Sequence, residues 1–448
     1  MALGATALLA VAGGLLLSWR GTLDSPLETK GRYIVVAGAW ILACLLGTVP
    51  YLVSGVTSGV VDAIFESVSG FTTTGASIML NLEQIPRGIM LWRSMTNWLG
   101  GLGTLVTFIL FLPNMGIETA ALFNSEDPDL SSRKFSSKIK EKMVLLGKIY
   151  GALTLLEVIA LLLAGMPAFD AVNHALTTIS TGGFSTGSQS VAVYGSAAIE
   201  AVIIIFMLLG GLNFTIYMSF FQKKGRNILR NTEVQAYLLI ALGATALTAA
   251  DQVLHSGQQI GLAGRQAAFQ VVALMTTTGY TSADYGLWSN FAKCVLFGLM
   301  FIGGCSLSPA GGIKVSRFIV LVKMAAINVR KAIHPQQIPN VRIGGQSVSD
   351  TILSSVSQFF FLFMSLFAGA SLLLTITGIA PFEAMGAAVA ALGNIGPAFG
   401  EFGPNMGYAA AHPVAKMTLA ACMLFGRLEI VMLLVLLTPD FWKGRKIW

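Results

Sequence analysis

Long apolar runs, separated by short polar stretches rich in glycine, dominate the chain. The runs Met1 to Trp19, Tyr33 to Val53, Met143 to Gly165, Ala197 to Phe221, Val234 to Ala250, Phe359 to Gly378 and Met417 to Leu437 reach or approach the roughly 20 residues with which a helix crosses about 30 Å of hydrocarbon. The pattern predicts an all-α polytopic membrane protein. Met1 to Trp19 has no basic segment before it, so it reads as an N-terminal spanning helix and not as a cleaved signal. Between the long runs lie shorter apolar stretches that end in threonine and glycine, of which "SVSGFTTTGAS", Ser67 to Ser77, is the clearest.

That stretch is repeated. Thirteen residues before Gly75, Gly183, Gly279 and Gly396 stand Asp62, Asp170, Gln266 and Glu383, each followed by alanine. The four copies lie 108, 96 and 117 residues apart, and every one sits between apolar segments. An offset kept four times marks an internal repeat.

Length decides the form of one unit. From Asp62 to Thr73 a helix extends about 16 Å at 1.5 Å per residue, half of the hydrocarbon thickness. It cannot span. A polar residue at its start suits a helix N-terminus, by capping and by opposing the dipole. The polar segment that follows is tolerated at membrane depth only where protein or water surrounds it. Each unit therefore predicts a spanning helix, a re-entrant pore helix, a filter-like strand and a second spanning helix. Four units around one central pore would aim their pore-helix C-termini at the axis, where a cation is favoured. A ring of backbone carbonyls there replaces the hydration shell of a permeant ion, and glycine accepts the backbone angles this requires.

Composition agrees: 54% of residues are hydrophobic and 11% charged, against about 25% charged in ordinary soluble domains. Most of the 28 basic residues fall in Arg20 to Arg32, Arg133 to Lys148, Lys223 to Arg230, Lys314 to Arg342 and Lys443 to Lys446, the connections between units and the tail. The positive-inside rule makes these cytoplasmic and brings all four re-entrant loops in from outside. The net charge of +7 then reflects topology, and no nucleic-acid partner is implied. Cys44, Cys294, Cys305 and Cys422 lack paired spacing and read as small apolar residues. With four scattered histidines and no H-E-x-x-H, an intramembrane enzyme is disfavoured, and no cofactor is expected in the chain.

The residues also resemble a known family. "TTTGA" (Thr72 to Ala76), "GGFST" (Gly182 to Thr186), "TTTGYT" (Thr276 to Thr281), "NIGP" (Asn394 to Pro397), "FIGGC" (Phe301 to Cys305), "GGIKV" (Gly311 to Val315), "LFGRLEI" (Leu424 to Ile430) and "LLTPDFW" (Leu436 to Trp442) are similar to motifs of the Trk/Ktr/HKT superfamily of potassium transporters. The likeness covers nearly the whole chain and is closest to the bacterial TrkH-type membrane subunits. It implies one pore per chain, a homodimer in the inner (cytoplasmic) membrane, K+ as substrate ion, and a cytoplasmic nucleotide-binding regulatory ring of the TrkA type. The implied ion-coordinating carbonyls are those of Thr73, Thr74, Thr181, Gly182, Thr277, Thr278, Asn394 and Ile395, beside the filter glycines Gly75, Gly183, Gly279 and Gly396. In this superfamily a glycine at the first filter position accompanies potassium permeability and a serine sodium selectivity, so Gly75 implies potassium.

The resemblance and the repeat together divide the chain into an N-terminal helix and linker (1–30, shortened relative to the family) and pore repeats at 31–142, 143–232, 233–350 and 351–448. The third unit departs from the others after Phe297 to Ile302, where "GGCSLSPAGG" makes a continuous helix improbable. Either Gly303, Gly304, Pro309, Gly311 and Gly312 form a packing kink, or, as the resemblance implies, they belong to an intramembrane gating loop below the filter. A segment with four glycines and no helical hydrogen bonds is expected to switch at small cost. Ser308-Pro309-Ala310, where relatives usually show serine, threonine and glycine, is expected to stiffen it. Arg427, inside the last apolar run, either pairs with a carboxylate of a neighbouring helix or, as the resemblance implies, limits cation occupancy at the inner mouth of the filter. Glu157, Asn97, Asn173 and Asn213 read as interhelical hydrogen-bonding residues. The alternative to channel-like permeation is a cation symporter working by alternating access.

Overall fold

The computed structural model describes residues 29–111, 132–221, 231–334, 341–343 and 346–443, together with Gly4. The helix expected over Met1 to Trp19, the basic stretch Lys223 to Arg230 and most of Arg20 to Arg32 lie outside the described residues. The described residues are mostly helical. A two-residue hairpin, β1 (Arg342–Ile343) against β2 (Gln346–Ser347), is the sole paired sheet among the described residues.

Four units follow one another. The first holds α1 (Thr29–Ser54), α2 (Val60–Phe71) and α3 (Arg87–Phe111), and the second α4 (Ser132–Leu163), α5 (Ala168–Ile179), α6 (Ala197–Gly211) and α7 (Phe214–Phe221). The third holds α8 (Thr232–Ser256), α9 (Ile260–Met275), α10 (Asn290–Leu299) and α11 (Val315–Ile333). The fourth holds α12 (Asp350–Ile376), α13 (Pro381–Leu392), α14 (Pro413–Arg427) and α15 (Ile430–Leu437), and ends in the short α16 (Pro439–Trp442). The first helix of every unit, α1, α4, α8 and α12, is long and apolar enough to cross a membrane. The chain is a multi-pass membrane protein.

The pore helices α2, α5, α9 and α13 have 12, 12, 16 and 12 residues, too few to cross the membrane, and their C-terminal halves are buried in protein. In α13 every residue from Gly386 to Leu392 is buried, and in α9 every residue from Phe269 to Met275. Their small and apolar side chains suit a helix that packs on other helices where lipid offers no hydrophobic drive and close contact supplies the attraction. Each pore helix packs on the first helix of its own unit and on the second helix of the unit before it: α5 on α3, α9 on α6, and α13 on α10 through Phe382 and Phe297, 5.7 Å between ring centroids. Helix α2 packs on α14, which closes the circle.

The second helices differ from expectation. No apolar run marked α3, because Arg93, Ser94, Thr96 and Asn97 dilute its hydropathy, yet it forms 25 helical residues. The run Ala197 to Phe221 is not one span but breaks at Leu212 and Asn213. There Asn213 Oδ1 accepts from Thr215 N at 2.9 Å and starts α7, while Phe214 N donates to Leu307 O of the third unit. Met417 to Leu437 is likewise bent, by 113° between α14 and α15. The hinge residue Glu429 has φ of 64°. Interruption of the second helix is therefore a property of three units, and the third carries the longest one.

Polar residues at the pore-helix starts do not cap. Gly59, Pro167, Gln259 and Ala380 precede the helices, and none makes a side-chain capping bond. Asp62, Asp170 and Glu383 lie in the first turn, where their charge opposes the dipole. Gln266 lies deeper, since α9 begins a turn earlier.

Candidate functional site

The four stretches after the pore helices share one backbone course. Thr73, Thr181, Thr277 and Asn394 have φ of 53°, 55°, 57° and 53°, and Gly75, Gly183, Gly279 and Gly396 have φ of 77°, 68°, 73° and 102°. A left-handed non-glycine residue costs roughly 1–2 kcal/mol, so holding four of them at one position requires strong local fastening. Part of it comes from amides turned back on the pore helix: Thr74 N to Ser69 O at 2.9 Å, Gly182 N to Thr177 O at 2.8 Å and Ile395 N to Ala390 O at 2.9 Å. These donors serve the helix ends. No backbone amide of the described residues donates to the carbonyls of Thr73, Thr74, Thr181, Gly182, Thr277, Thr278, Asn394 or Ile395. Such buried acceptors are costly unless something meets them.

The strands close on one another in order. A Cβ on Gly75 would overlap the carbonyl oxygen of Gly182, one on Gly183 that of Thr278, one on Gly279 that of Ile395, and one on Gly396 would lie 2.6 Å from that of Thr74. The glycines thus have two reasons to be glycine, left-handed φ and a neighbouring carbonyl in the place of a side chain. Side chains extend the ring: Thr72 and Thr74 hydroxyls meet at 2.8 Å, as do those of Thr276 and Thr278, and Asn394 Nδ2 donates to Thr74 Oγ1 at 3.0 Å.

The interrupted helix of the third unit meets the inner end of this ring. Gly303 to Gly311 are all buried. Gly311 N donates to Thr277 Oγ1 at 2.8 Å, and a Cβ on Gly311 would overlap Gly393 O at the end of α13. The pore helices end and the strands begin at this level, so the loop lies on the side from which the strands rise. Its neck is pinned by Gly303 N to Ile313 O at 2.9 Å, with Gly303 packed on Gly311 O, and its flank by Cys305 N to Gly211 O at 2.9 Å and Ser306 N to Glu233 Oε1 at 2.7 Å. Lys314 Nζ donates to Ser308 O and Ala310 O, and Arg427 Nη1 donates to Pro309 O. Each such bond contributes about 0.5–1.5 kcal/mol net. The expected small cost of moving this loop is thereby corrected: its glycines lack helical bonds, but at least seven other bonds replace them.

Arg427 has no carboxylate partner among its hydrogen bonds; its second contact is to Gly100 O at 3.5 Å. Glu429 pairs instead with Arg317, at 2.9 and 3.0 Å. Arg427, Lys314, Arg317 and Glu429 line one crevice together with Ala310 and Gly311. Of the polar residues read as interhelical ties, Asn173 Nδ2 bonds within its own helix to Phe169 O, Asn213 caps α7 and also faces the Glu233 carboxylate of α8, Glu157 faces the Thr178 hydroxyl of α5, and among the described residues neither amide atom of Asn97 has a hydrogen-bond partner.

Sequence reasoning missed Glu66 and Arg93. Their fully buried pair, 2.8 Å from Nε to Oε1, lies beside the outgoing arms of the first two strands. The signal available was an arginine inside a 25-residue helix of largely apolar residues. Gly183 to Gly187 also spells G-x-S-x-G, a pattern of hydrolase nucleophiles. Ser185 here follows a pore helix instead of a strand, and its histidine neighbour, His174 at 3.2 Å, is oriented by the backbone oxygen of Asp170 and by no carboxylate.

Comparison with known proteins follows this geometry. The TrkH family of cation transport proteins matches residues 2–443. The Trk system potassium uptake protein TrkH of Salmonella typhimurium is 34% identical over 443 residues, 98% of this chain and 91% of that protein. The Trk system potassium uptake protein TrkI of Halomonas elongata is 35% identical over 438 residues, 95% of this chain and 87% of that protein. The crystal structure of the potassium transporter TrkH from Vibrio parahaemolyticus superposes with a TM-score of 0.90 at 31% identity, covering 99% of this chain and 92% of that one. A family match over the whole chain and a shared fold of re-entrant units lead to one conclusion: the chain belongs to the TrkH family of cation transport proteins and is a transporter, not an enzyme.

Proposed function

We propose that the chain takes up potassium across the cytoplasmic membrane by channel-like permeation along the axis of its four strands. The observation that carries this reading is the closed ring, in which each glycine abuts the carbonyl of the next unit and eight buried carbonyls receive no backbone amide. K+ is a weakly hydrated monovalent cation, and such carbonyls replace its water shell. The ion-binding positions are the carbonyls of Thr73, Thr74, Thr181, Gly182, Thr277, Thr278, Asn394 and Ile395, supported by the names of the relatives, which are potassium uptake proteins.

The loop from Gly303 to Gly312 is the gate in this reading. Its contact with Thr277 and Gly393 lies under the ring, and Arg427 holds it through Pro309 while adding a positive charge at the inner mouth. The functional unit is a homodimer with a cytoplasmic nucleotide-binding ring that shifts the gate, docked on the basic connections Arg133 to Lys148 and Lys314 to Arg342. Purified chain in liposomes tests the core of this: potassium influx exceeding sodium influx is expected, with single openings in a planar bilayer. Slow, saturable exchange without openings would favour alternating access instead, and equal flux of both ions would remove the filter reading.

A further inference from the structure

Nine residues before the four filter glycines stand Glu66, His174, Gln270 and Ala387, one level on four pore helices. Three of them reach the arm that leaves the filter. Glu66 accepts from Ser77 Oγ at 3.0 Å and from Ile78 N at 3.0 Å. His174 Nε2 meets Ser185 Oγ at 3.2 Å; Ser77 and Ser185 are both two residues past a filter glycine. Gln270, with its amide turned to suit its neighbours, accepts from Ser282 N at 2.8 Å and from Ala283 N at 3.2 Å. In the fourth unit alanine has nothing to offer, and the arm is held by tyrosine hydroxyls: Tyr285 donates to Ala398 O at 2.9 Å and Tyr408 to Gly396 O at 2.8 Å.

We propose that Glu66, His174 and Gln270 are positioning residues, a brace behind the filter that holds its aperture and thereby sets discrimination between K+ and smaller cations. The proposal rests on the filter reading above. Carbonyls select an ion only if they resist closing around a smaller one, and the strands themselves have few backbone bonds with which to resist. Stiffness then has to come from outside the ring. Glu66 with Arg93 is the strongest member because Arg93 joins two units: Nε holds Glu66, Nη2 donates to Ser77 Oγ at 3.0 Å, and Nη1 donates to Ser185 O at 3.3 Å, with the guanidinium 4.1 Å from the Phe184 ring. Glu66 and Arg93 are buried while Ser77 and Ser185 are half-buried, and the charge-assisted bond between the two buried groups is strong, its loss not made good by solvent.

The test is the potassium-to-sodium flux ratio of the purified full chain in liposomes. The double variant Glu66→Met with Arg93→Met removes the brace and leaves no orphan charge, so folding is expected to survive. Its ratio should fall by about fivefold, and that of Gln270→Leu by about twofold. Glu66→Gln with Arg93→Met keeps an acceptor for Ser77 and Ile78 and should recover part of the loss. Asp251→Asn, a buried carboxylate bonded to His255 and Ser289 away from the strands, should leave the ratio unchanged. A double variant that conducts with the parent ratio overturns the brace. If the double variant fails to fold, Gln270→Leu decides, and an unchanged ratio there overturns it as well. A parent chain that does not distinguish the two ions removes the filter reading and the brace together, whereas a selective parent with selective variants removes the brace alone.

Discussion

Arg427 and Pro309 are joined across 118 residues by a hydrogen bond from Nη1 to the proline carbonyl, at the tip of the buried loop beneath the filter. In the function proposed above, the arginine is both a charge near the ion path and a latch on the segment that obstructs it. Arg427→Gln should raise potassium flux in the absence of any partner and leave the ion ratio unchanged, since the carbonyl ring is untouched. Leaving the Pro309 carbonyl unmet should cost about 1–3 kcal/mol of stability. Flux no greater than that of the parent, in a folded variant, would show that the latch does not govern opening.

Pro309→Gly tests the loop from within. Proline fixes its own φ and narrows the choices of Ser308 before it. Glycine frees both while keeping the carbonyl that Arg427 holds. Basal flux should rise, by less than in Arg427→Gln, because at least seven bonds that pin the loop are retained. Counting openings in a planar bilayer measures the difference, and equal open probability in parent and variant would return the glycine pairs to a packing role.

Gly75→Ser should shift selectivity toward sodium. Two effects add: a side chain is disfavoured at φ of 77°, and its Cβ has to displace the carbonyl of Gly182, one of the proposed ligands. The backbone term alone is roughly 1–2 kcal/mol. Competition of sodium with rubidium uptake in whole vesicles reads the outcome, and an unaltered ratio would exclude this strand from the selective ring.

Glu83 and Ser188 tie the outer loops of the first two units. Ser188 Oγ donates to one carboxylate oxygen at 2.6 Å and Ser188 N to the other at 2.9 Å. The hydroxyl bond, then the amide bond, hold the Glu83 carboxyl below its ordinary value. A depressed carboxyl contributes stability that is present above the unfolded value, about 4.3 for glutamate, and is lost as pH falls through the folded one. Acidifying the outer face below that range should loosen this tie, and Glu83→Gln should remove that part of the pH dependence. Hydrogen exchange at Ser188, followed against pH in both proteins, checks it; identical profiles would place the tie elsewhere.

Much of the architecture was legible because it is written at fixed offsets. Apolar length announced the membrane, and the thirteen-residue step from Asp62 to Gly75, repeated three times, announced half-length helices that have to turn back. Composition and chain distance are local properties, and a helix of twelve residues cannot span whatever surrounds it. The second helices were not legible in the same way. Asn213 breaks one by capping the next, and Glu429 bends another while paired to Arg317, 112 residues away. Hydropathy averages over such residues and cannot register which neighbour will claim them.

The sequence alone thus determined a membrane protein of four re-entrant units, the glycines of its four repeated turns and the place of its interrupted helix, since each follows from periodicity, length or the absence of a side chain. Only the tertiary structure decided that the units close in the order of the chain, that Arg427 serves a carbonyl and, among the described residues, no carboxylate, and that Glu66 meets Arg93 behind the ring. Those outcomes depend on side chains brought together from as far apart as Thr74 and Asn394, 320 residues distant. A buried polar group takes whichever partner packing puts within about 3 Å, and nothing in its own stretch of chain names that partner.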